Sequence, residues 1–190
     1  MARIKEFDRD KALESAVGVF REHGFDGTST EMLVKAMRIG RQSLYDTFGD
    51  KWALYRLAVE RYSSAETEAH IRELRSSERA VDGIAAMMDR VVAEADRACL
   101  GVNSICEFGQ SRPDLTDVHL AADHRLRQAA RECITQAQGA GDLDRSASPD
   151  AVIDFLIASI AGIRIAARGG AGPEVLQSLS RLALRALMPR

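Results

Sequence analysis

Proline, cysteine and aromatic residues are scarce in this chain of 190 residues, which has 4 prolines, 3 cysteines and 5% aromatic residues. Few prolines leave long stretches free to form helices, because proline breaks a helix interior. Cys99, Cys106 and Cys133 are odd in number, and their spacing fits neither a disulfide framework nor a zinc site. We therefore expect free thiols in a reducing compartment, which favours a cytoplasmic protein.

Long hydrophobic runs are also missing. The longest uncharged apolar run lies between Asp154 and Arg164, whereas a membrane-spanning helix needs about 20 residues. The N-terminal residues show no apolar signal-peptide segment. We expect neither secretion nor membrane insertion.

Motifs for catalysis, cofactors and metals are not found either. No Ser/His/Asp arrangement, phosphate-binding loop or glycine-rich nucleotide motif occurs, so we expect no enzyme and no cofactor. His119 and His124 are five residues apart, whereas metal-binding pairs on a helix favour three or four, so no metal site is predicted. The net charge is only −2, and 22 of the 26 basic residues are arginine; bulk charge therefore does not indicate a nucleic-acid partner.

Apolar residues recur with a period near 3.6 along almost the whole chain, which predicts an all-α protein of about nine helices. Thr28 and Glu31 fit a capping box at one helix start, and Ser148-Pro149-Asp150 fits another. The predicted helices lie at 8–23, 29–37, 41–48, 51–74, 78–98, 113–138, 149–168 and 173–188, with a less regular stretch at 99–111.

The segments 29–37 and 41–48, joined by three residues, have the dimensions of a helix-turn-helix, which places its second helix in the DNA major groove. Arg41 suits guanine and Gln42 suits adenine, while Leu44 and Phe48 are expected to face the core. Two helices that merely pack together remain the alternative. Including flanking residues suited to phosphates, the predicted DNA-binding set is Thr28, Thr30, Arg41, Gln42, Ser43, Tyr45 and Lys51.

The N-terminal third resembles the DNA-binding domain of TetR/AcrR-type transcriptional regulators. The residues that carry this resemblance are Phe20-Arg-Glu-His-Gly24-Phe25-Asp-Gly-Thr28-Ser29, Lys35-Ala36 and Leu44-Tyr45-Asp-Thr-Phe48-Gly-Asp-Lys51-Trp-Ala-Leu54. The resemblance implies a helix-turn-helix domain at 1–50 (about 6–66 with the linking helix) and a helical effector-binding and dimerisation domain at 51–190. It also implies a homodimer that represses from palindromic operator DNA and is released by a small-molecule effector.

The turn departs from the family pattern Gly-Val-Ser, because Arg38-Ile39-Gly40 stands there. Arg38 therefore either avoids a positive φ or bears modest strain, and it offers another phosphate contact. Gly40 replaces a capping serine. Asp46, an acid near phosphates, either accepts from a cytosine amino group or pairs with Arg41 or Gln42.

The candidate effector pocket lies in the C-terminal domain. Only Phe108 and Phe155 are aromatic after residue 66, so we expect an aliphatic or modestly polar ligand rather than a large flat cation. A plain hydrophobic core is the alternative for the same residues. The candidates are Met87, Met88, Val91, Cys106, Phe108, Leu126 and Phe155.

The last two helices form the dimer interface in the family that the chain resembles. The residues predicted for it are Val152, Leu156, Ile160, Ile163, Leu176, Leu179 and Ala183, although an intramolecular core explains part of the same pattern. Two other functions stay open. One is a redox- or electrophile-sensing regulator that acts through Cys99 or Cys106, and the other is a helical adaptor that has lost DNA binding, as Gly40 and Asp46 suggest.

Overall fold

Nine α-helices and no β-strand make up the part of the chain that the computed structural model describes, residues 7–189. The predicted all-α fold is thus confirmed. The helices are α1 (Arg9–His23), α2 (Thr30–Met37), α3 (Arg41–Phe48), α4 (Lys51–Leu74), α5 (Ala80–Ala93), α6 (Leu100–Phe108), α7 (Pro113–Ala140), α8 (Pro149–Arg168) and α9 (Pro173–Ala186).

The start of α2 differs from the predicted capping box by one residue. Ser29 is the N-cap, and its hydroxyl accepts the backbone N–H of Met32 at 3.2 Å. Thr28 is buried instead, and its hydroxyl donates to the carbonyl of Gly24 at 2.6 Å. A buried threonine hydroxyl needs a partner of its own, so Thr28 closes the preceding turn and Ser29 caps the helix.

The middle of the chain also differs in detail from the expectation. The helix predicted at 78–98 ends at Ala93, and the less regular stretch at 99–111 contains α6. The segment between them holds turns, in which the N–H of Ala95 bonds the carbonyl of Val92 and that of Arg97 bonds Glu94.

The helices divide into two compact units, each with its own hydrophobic core. Unit 1 comprises the described residues up to Ser64 together with Cys99–His119, and unit 2 comprises Ala65–Ala98 with Leu120 onward. Two helices, α4 and α7, run from one unit into the other along the chain. Unit 1 therefore contains α6 and the first turns of α7 as well as the three N-terminal helices.

The core of unit 1 is built from one apolar stripe on each of its helices. Phe20 of α1, Leu33 of α2 and Leu44 of α3 are almost completely buried beside Leu54 and Tyr55 of α4. Burying a side chain of this size contributes about 1.5–3 kcal/mol relative to an exposed one. Most of the aromatic residues in the first third of the sequence pack in or against this core.

The core of unit 2 joins α5, the later part of α7, α8 and α9. Ile84 and Met88 of α5, Ile134 of α7 and Ile153 of α8 have no more than 1% of their surface exposed. Between residues 7 and 189, no helix combines the length and the apolar character needed to cross a membrane.

Candidate nucleic-acid interface

The helix pair α2–α3 is anchored by its apolar side chains. Leu33 and Met37 of α2 and Leu44 and Phe48 of α3 are buried in unit 1, as predicted for the latter two. The N–H of Gly49, at a φ of 78°, bonds the carbonyl of Tyr45 at 3.0 Å and ends α3. The opposite side of α3 is therefore presented to solvent on a fixed support.

The turn between the two helices stores a small amount of backbone strain. Arg38 adopts the left-handed conformation, with φ 55° and ψ 38°, and is the non-glycine residue with a positive φ among residues 7–189. This conformation costs roughly 1–2 kcal/mol for a residue with a Cβ. Of the two alternatives for Arg38, the structure shows the strained one. Gly40 caps α3 without a side-chain hydrogen bond.

The exposed side of the pair carries most of the predicted DNA-binding side chains. Arg38, Arg41, Gln42 and Tyr45 are exposed and form what we call the recognition surface. Thr30, Ser43 and Lys51 are partly buried, and Thr28 is only 2% exposed. Because its hydroxyl is donated internally, the assignment of Thr28 as a phosphate contact is corrected to a structural role.

One ion pair and one amide–carboxylate hydrogen bond hold the recognition surface in place. The guanidinium group of Arg41 bonds the carboxylate of Glu31 on α2. The amide Nε2 of Gln42 donates to Oδ1 of Asp46 at 2.8 Å, which is one of the two pairings expected for Asp46. The pKa of Glu31 lies below its ordinary value because its own backbone N–H and Ser29 bond the carboxylate, with Arg41 adding its charge. Glu31 is a partner that sequence reasoning missed, since it lies ten positions before Arg41 on a different helix.

Two further predicted residues have local partners. The hydroxyl of Tyr45 lies 3.5 Å from that of Thr30, so the two hydroxyl groups stand side by side on α3 and α2. The ammonium group of Lys51 lies 4.3 Å from the ring centroid of Phe25, within cation–π range.

Unit 2 contains a buried ionic cluster that sequence reasoning did not find. Glu66 Oε1 accepts from Arg90 Nη2 at 2.9 Å and from Arg164 Nη2 at 3.1 Å, and His70 Nε2 lies 3.5 Å away. Arg90 also bonds Glu94 at 2.8 Å. These residues come from α4, from α5 and its C-cap, and from α8. Glu66 lies 24 residues before Arg90 and 98 before Arg164, so these two contacts have no local signal in the sequence.

The cluster shifts the titration of its members. Burial, reinforced by the charges of Arg90 and Arg164, lowers the pKa of His70 to about 4, although Glu66 acts in the opposite direction. Burial alone would raise the pKa of Glu66, but the guanidinium groups of Arg90 and Arg164 bring it below its ordinary value. The cluster is thus held with an ionised carboxylate and a neutral imidazole at neutral pH.

The predicted effector residues fall in different places. Met87, Met88 and Val91 are buried in the core of unit 2 with Leu126 packed against it. Phe155 is 41% exposed. Cys106 and Phe108 belong to unit 1, where Cys106 is exposed and the Phe108 ring lies 5.2 Å from that of Trp52. The structure therefore does not bring the seven residues into one set.

The predicted dimer residues are divided between core and surface. Ile160 is partly buried and Leu179 is 38% exposed. The other five are buried in the chain's own core and are corrected to core residues: Val152, Leu156, Ile163, Leu176 and Ala183.

The apolar side chains exposed on the same two helices overlap the predicted set at Leu179. On each helix they fall on one side at 100° per residue, a periodicity that the sequence also carries but that does not say which of two apolar sides is inward. We call this set the α8–α9 apolar face, and it consists of Phe155, Ile165, Val175, Leu179 and Leu182.

Comparison with known proteins places this helix pair in a family. The model of bacterial regulatory proteins of the tetR family matches residues 12–58, and that of the tetracyclin repressor-like C-terminal domain matches residues 78–182. The chain belongs to the TetR family. The chain is therefore a transcriptional regulator. The predicted family resemblance is confirmed.

Relatives extend over most of the chain. The HTH-type transcriptional repressor ComR of Escherichia coli is 27% identical over 96% of this chain and 90% of its own length. The uncharacterized HTH-type regulator YezE of Bacillus subtilis is 33% identical over 76% of this chain and 77% of its own. The solved TetR-family regulator CifR, as a cysteine mutant complexed with 26-bp operator DNA, is 28% identical with a TM-score of 0.83, covering 97% of this chain and 99% of that one.

Proposed function

We propose that this TetR-family chain is a homodimeric repressor that binds a palindromic operator through α3 and leaves it when a small molecule binds. The observation that carries the proposal is the recognition surface, in which Arg38, Arg41, Gln42 and Tyr45 stand exposed on an α2–α3 pair anchored by buried Leu44 and Phe48. The similar protein CifR, solved in complex with operator DNA, supports binding to an operator.

Arg41 and Gln42 are the residues that contact bases. Arg41 pairs bidentately with guanine and Gln42 with adenine in the major groove. Each leaves its acidic partner, Glu31 or Asp46, when it turns to a base. Arg38, Tyr45, Thr30, Ser43 and Lys51 contact phosphates or sugars, which set the register of the helix without reading sequence.

A twofold dimer through the α8–α9 apolar face supplies the second recognition helix. Two half-sites about 34–36 Å apart then face successive turns of the major groove. Exposed apolar side chains gathered on two packed helices favour a protein partner more than singly scattered ones do. A second copy of the chain is the partner that a palindromic operator requires.

Release by the effector is a population shift between two states of the dimer. A ligand that binds the state with wider-set recognition helices lowers the operator affinity by the ratio of its affinities for the two states. Helix α4 runs from Lys51 in unit 1 to Leu74 in unit 2 and links the units covalently. Met87, Met88 and Val91 lie in the apolar core of unit 2, so an effector that reaches them would be aliphatic or modestly polar.

The test of this function is the affinity for DNA that flanks the protein's own gene, titrated against salt and against random competitor. We expect a steep salt dependence and a preference for the operator of at least about a thousandfold. Equal competition by random DNA from every flanking fragment would contradict operator binding and favour a helical adaptor.

A redox- or electrophile-sensing regulator is the second candidate, and the exposure of Cys106 favours it. Cys133 is unsuited to this role, because burial raises the pKa of its thiol and its sulfur donates to the carbonyl of Leu74. Alkylation with iodoacetamide should then weaken operator binding in the wild type but not in Cys106→Ser. Unchanged affinity after full alkylation would exclude this mechanism.

A further inference from the structure

One carboxylate of α6 holds the turn between α1 and α2 by its backbone. Glu107 Oε2 accepts the N–H of Phe25 at 3.0 Å, and Oε1 accepts the N–H of Asp26 at 2.9 Å. Two successive backbone N–H groups that converge on one anion form a concave anion site of the kind called a nest. Here the occupant of the nest is a side chain of the same unit, 81 residues farther along the chain.

The turn is shaped to admit this carboxylate. Gly24 has a φ of 69°, and a Cβ built on it would lie 3.1 Å from Glu107 Oε2. Glycine suits this position for two reasons, since it adopts a positive φ readily and its missing Cβ leaves room for the oxygen. Nearby, Asn103 Nδ2 donates to the carbonyl of Arg21 in the last turn of α1 at 3.1 Å.

An aromatic contact between Phe25 and α6 also packs against the same turn. The ring of Phe25, whose N–H is bonded to Glu107, packs edge-on against Phe108 of α6 with centroids 5.8 Å apart. The same ring packs against Trp52 and Tyr55 of α4, both at 5.2 Å. Such pairs contribute about 0.5–1.5 kcal/mol beyond the area they bury. Polar and apolar contacts thus join α6 to one short segment.

The segment that contains α6 is connected to unit 2 at both of its ends. Residues 99–119 belong to unit 1, but the residues immediately before and after them, Ala98 and Leu120, belong to unit 2. Both ends of 99–119 are therefore joined covalently to unit 2. The α1–α2 turn leads directly into Ser29, the N-cap of α2.

We propose that Glu107 and Asn103 of α6 position the α1–α2 turn, and through it the recognition surface, for operator binding. We call this pair the α6 clasp. The inference rests on the proposed function, because it assigns a second route, beside α4, by which effector binding in unit 2 reaches the DNA-binding helices. Glu107 is a positioning residue and touches no base in this scheme.

The experiment compares Glu107→Gln with Glu78→Gln, an equal change of charge at an exposed residue before α5. Hydrogen exchange is followed at the amides of Phe25 and Asp26, and operator and random-DNA affinities are measured on the full-length protein. Glutamine keeps the shape but presents an NH2 group to one of the two N–H donors. We expect exchange of both amides about fivefold or more faster and operator affinity about three- to tenfold weaker, with random-DNA affinity as in the control.

A second variant changes the turn that Glu107 contacts, and not Glu107 itself. Gly24→Ala introduces the Cβ that would meet Glu107 Oε2 and leaves the charge unchanged. It should give the same faster exchange and weaker operator binding, and the double variant should lose less than the sum of the two single losses.

The outcomes separate the clasp from the proposed function. Unchanged amide exchange in both variants, or faster exchange with operator affinity equal to that of Glu78→Gln, would overturn the clasp. A wild type without any operator preference would contradict the proposed function instead.

Discussion

The guanidinium group of Arg41 on α3 is bonded to the carboxylate of Glu31 on α2. Both side chains are more than half exposed, so the pair contributes little to the free energy of unfolding. Its effect is on geometry, because Arg41 is already extended along the outer side of the helix pair. The residue proposed to read a base is thus held by an acid that DNA phosphates repel, and this balance can be tested.

Arg41→Ala should weaken operator binding about 10- to 100-fold, because a bidentate arginine–guanine pair is worth about 1–3 kcal/mol of discrimination. Affinity for random DNA should fall much less. The control is Arg75→Ala, which removes an exposed guanidinium of unit 2. An equal loss on operator and random DNA would reduce Arg41 to a phosphate contact.

Glu31→Gln should raise the affinity for random DNA and reduce the preference for the operator. The substitution removes an anion from the recognition surface and releases Arg41 from its fixed position. Competition titrations at two salt concentrations measure both effects. An operator preference equal to that of the wild type would show that Glu31 does not orient Arg41.

Arg38→Gly should stabilise the protein and weaken its binding to DNA. Glycine adopts the φ of 55° without the strain that a Cβ causes, so we expect a gain of about 1 kcal/mol in the free energy of unfolding. The lost guanidinium should lower operator and random-DNA affinity together. Urea unfolding and DNA titration check the two effects, and a destabilised variant would contradict the strain.

Leu182→Glu should produce monomers with weak operator binding. Leu182 is 59% exposed on α9, so the substitution should cost the monomer fold little. Leu120→Glu is the matched control, since Leu120 is 60% exposed on α7. Sedimentation and operator titration compare the two. A dimer that persists in Leu182→Glu would place the interface away from the α8–α9 apolar face.

The protein should lose stability as the pH falls from about 6.5 toward 4. Burial lowers the pKa of His70 to about 4, so in this interval the unfolded chain binds a proton that the folded chain does not. At 1.36 kcal/mol per unit, His70 contributes roughly 3 kcal/mol of this loss. Burial also lowers the pKa of His119, which adds a loss in the same direction. At a pH below the ordinary pKa of a glutamate, Glu66 adds a further loss of stability, because its pKa is lowered in the folded chain.

Urea unfolding at one protein concentration, at pH 7 and at pH 5, measures this dependence. His70→Gln removes the titrating group of the buried cluster and should flatten the curve, whereas His124→Gln, at an exposed histidine of α7, should not. Identical curves for the wild type and His70→Gln would refute the role of His70.

Most of the helices and the α2–turn–α3 pair were predictable from the sequence, because local properties decide them, although α5 ends earlier than predicted and α6 lies in a stretch predicted to be less regular. The period of apolar residues sets the helices, and residues such as Ser148 with Pro149 set their starts. Leu44 and Phe48, about one turn apart, were predictable as the buried side of α3, and Gln42 lies away from that side of the helix. Fixed spacing also revealed the family.

Tertiary structure decided what depends on contacts between distant residues. Thr28 is buried, and Arg41 is paired with Glu31. Phe108 belongs to unit 1, and Val152 lies in the core and not on the surface. An amphipathic helix with apolar residues on two sides does not reveal which side packs inward, since that depends on the shape of its neighbours. Nor does a sequence show that a glutamate of α6 fits a turn 81 residues earlier, because the fit is created by the packing of the two segments.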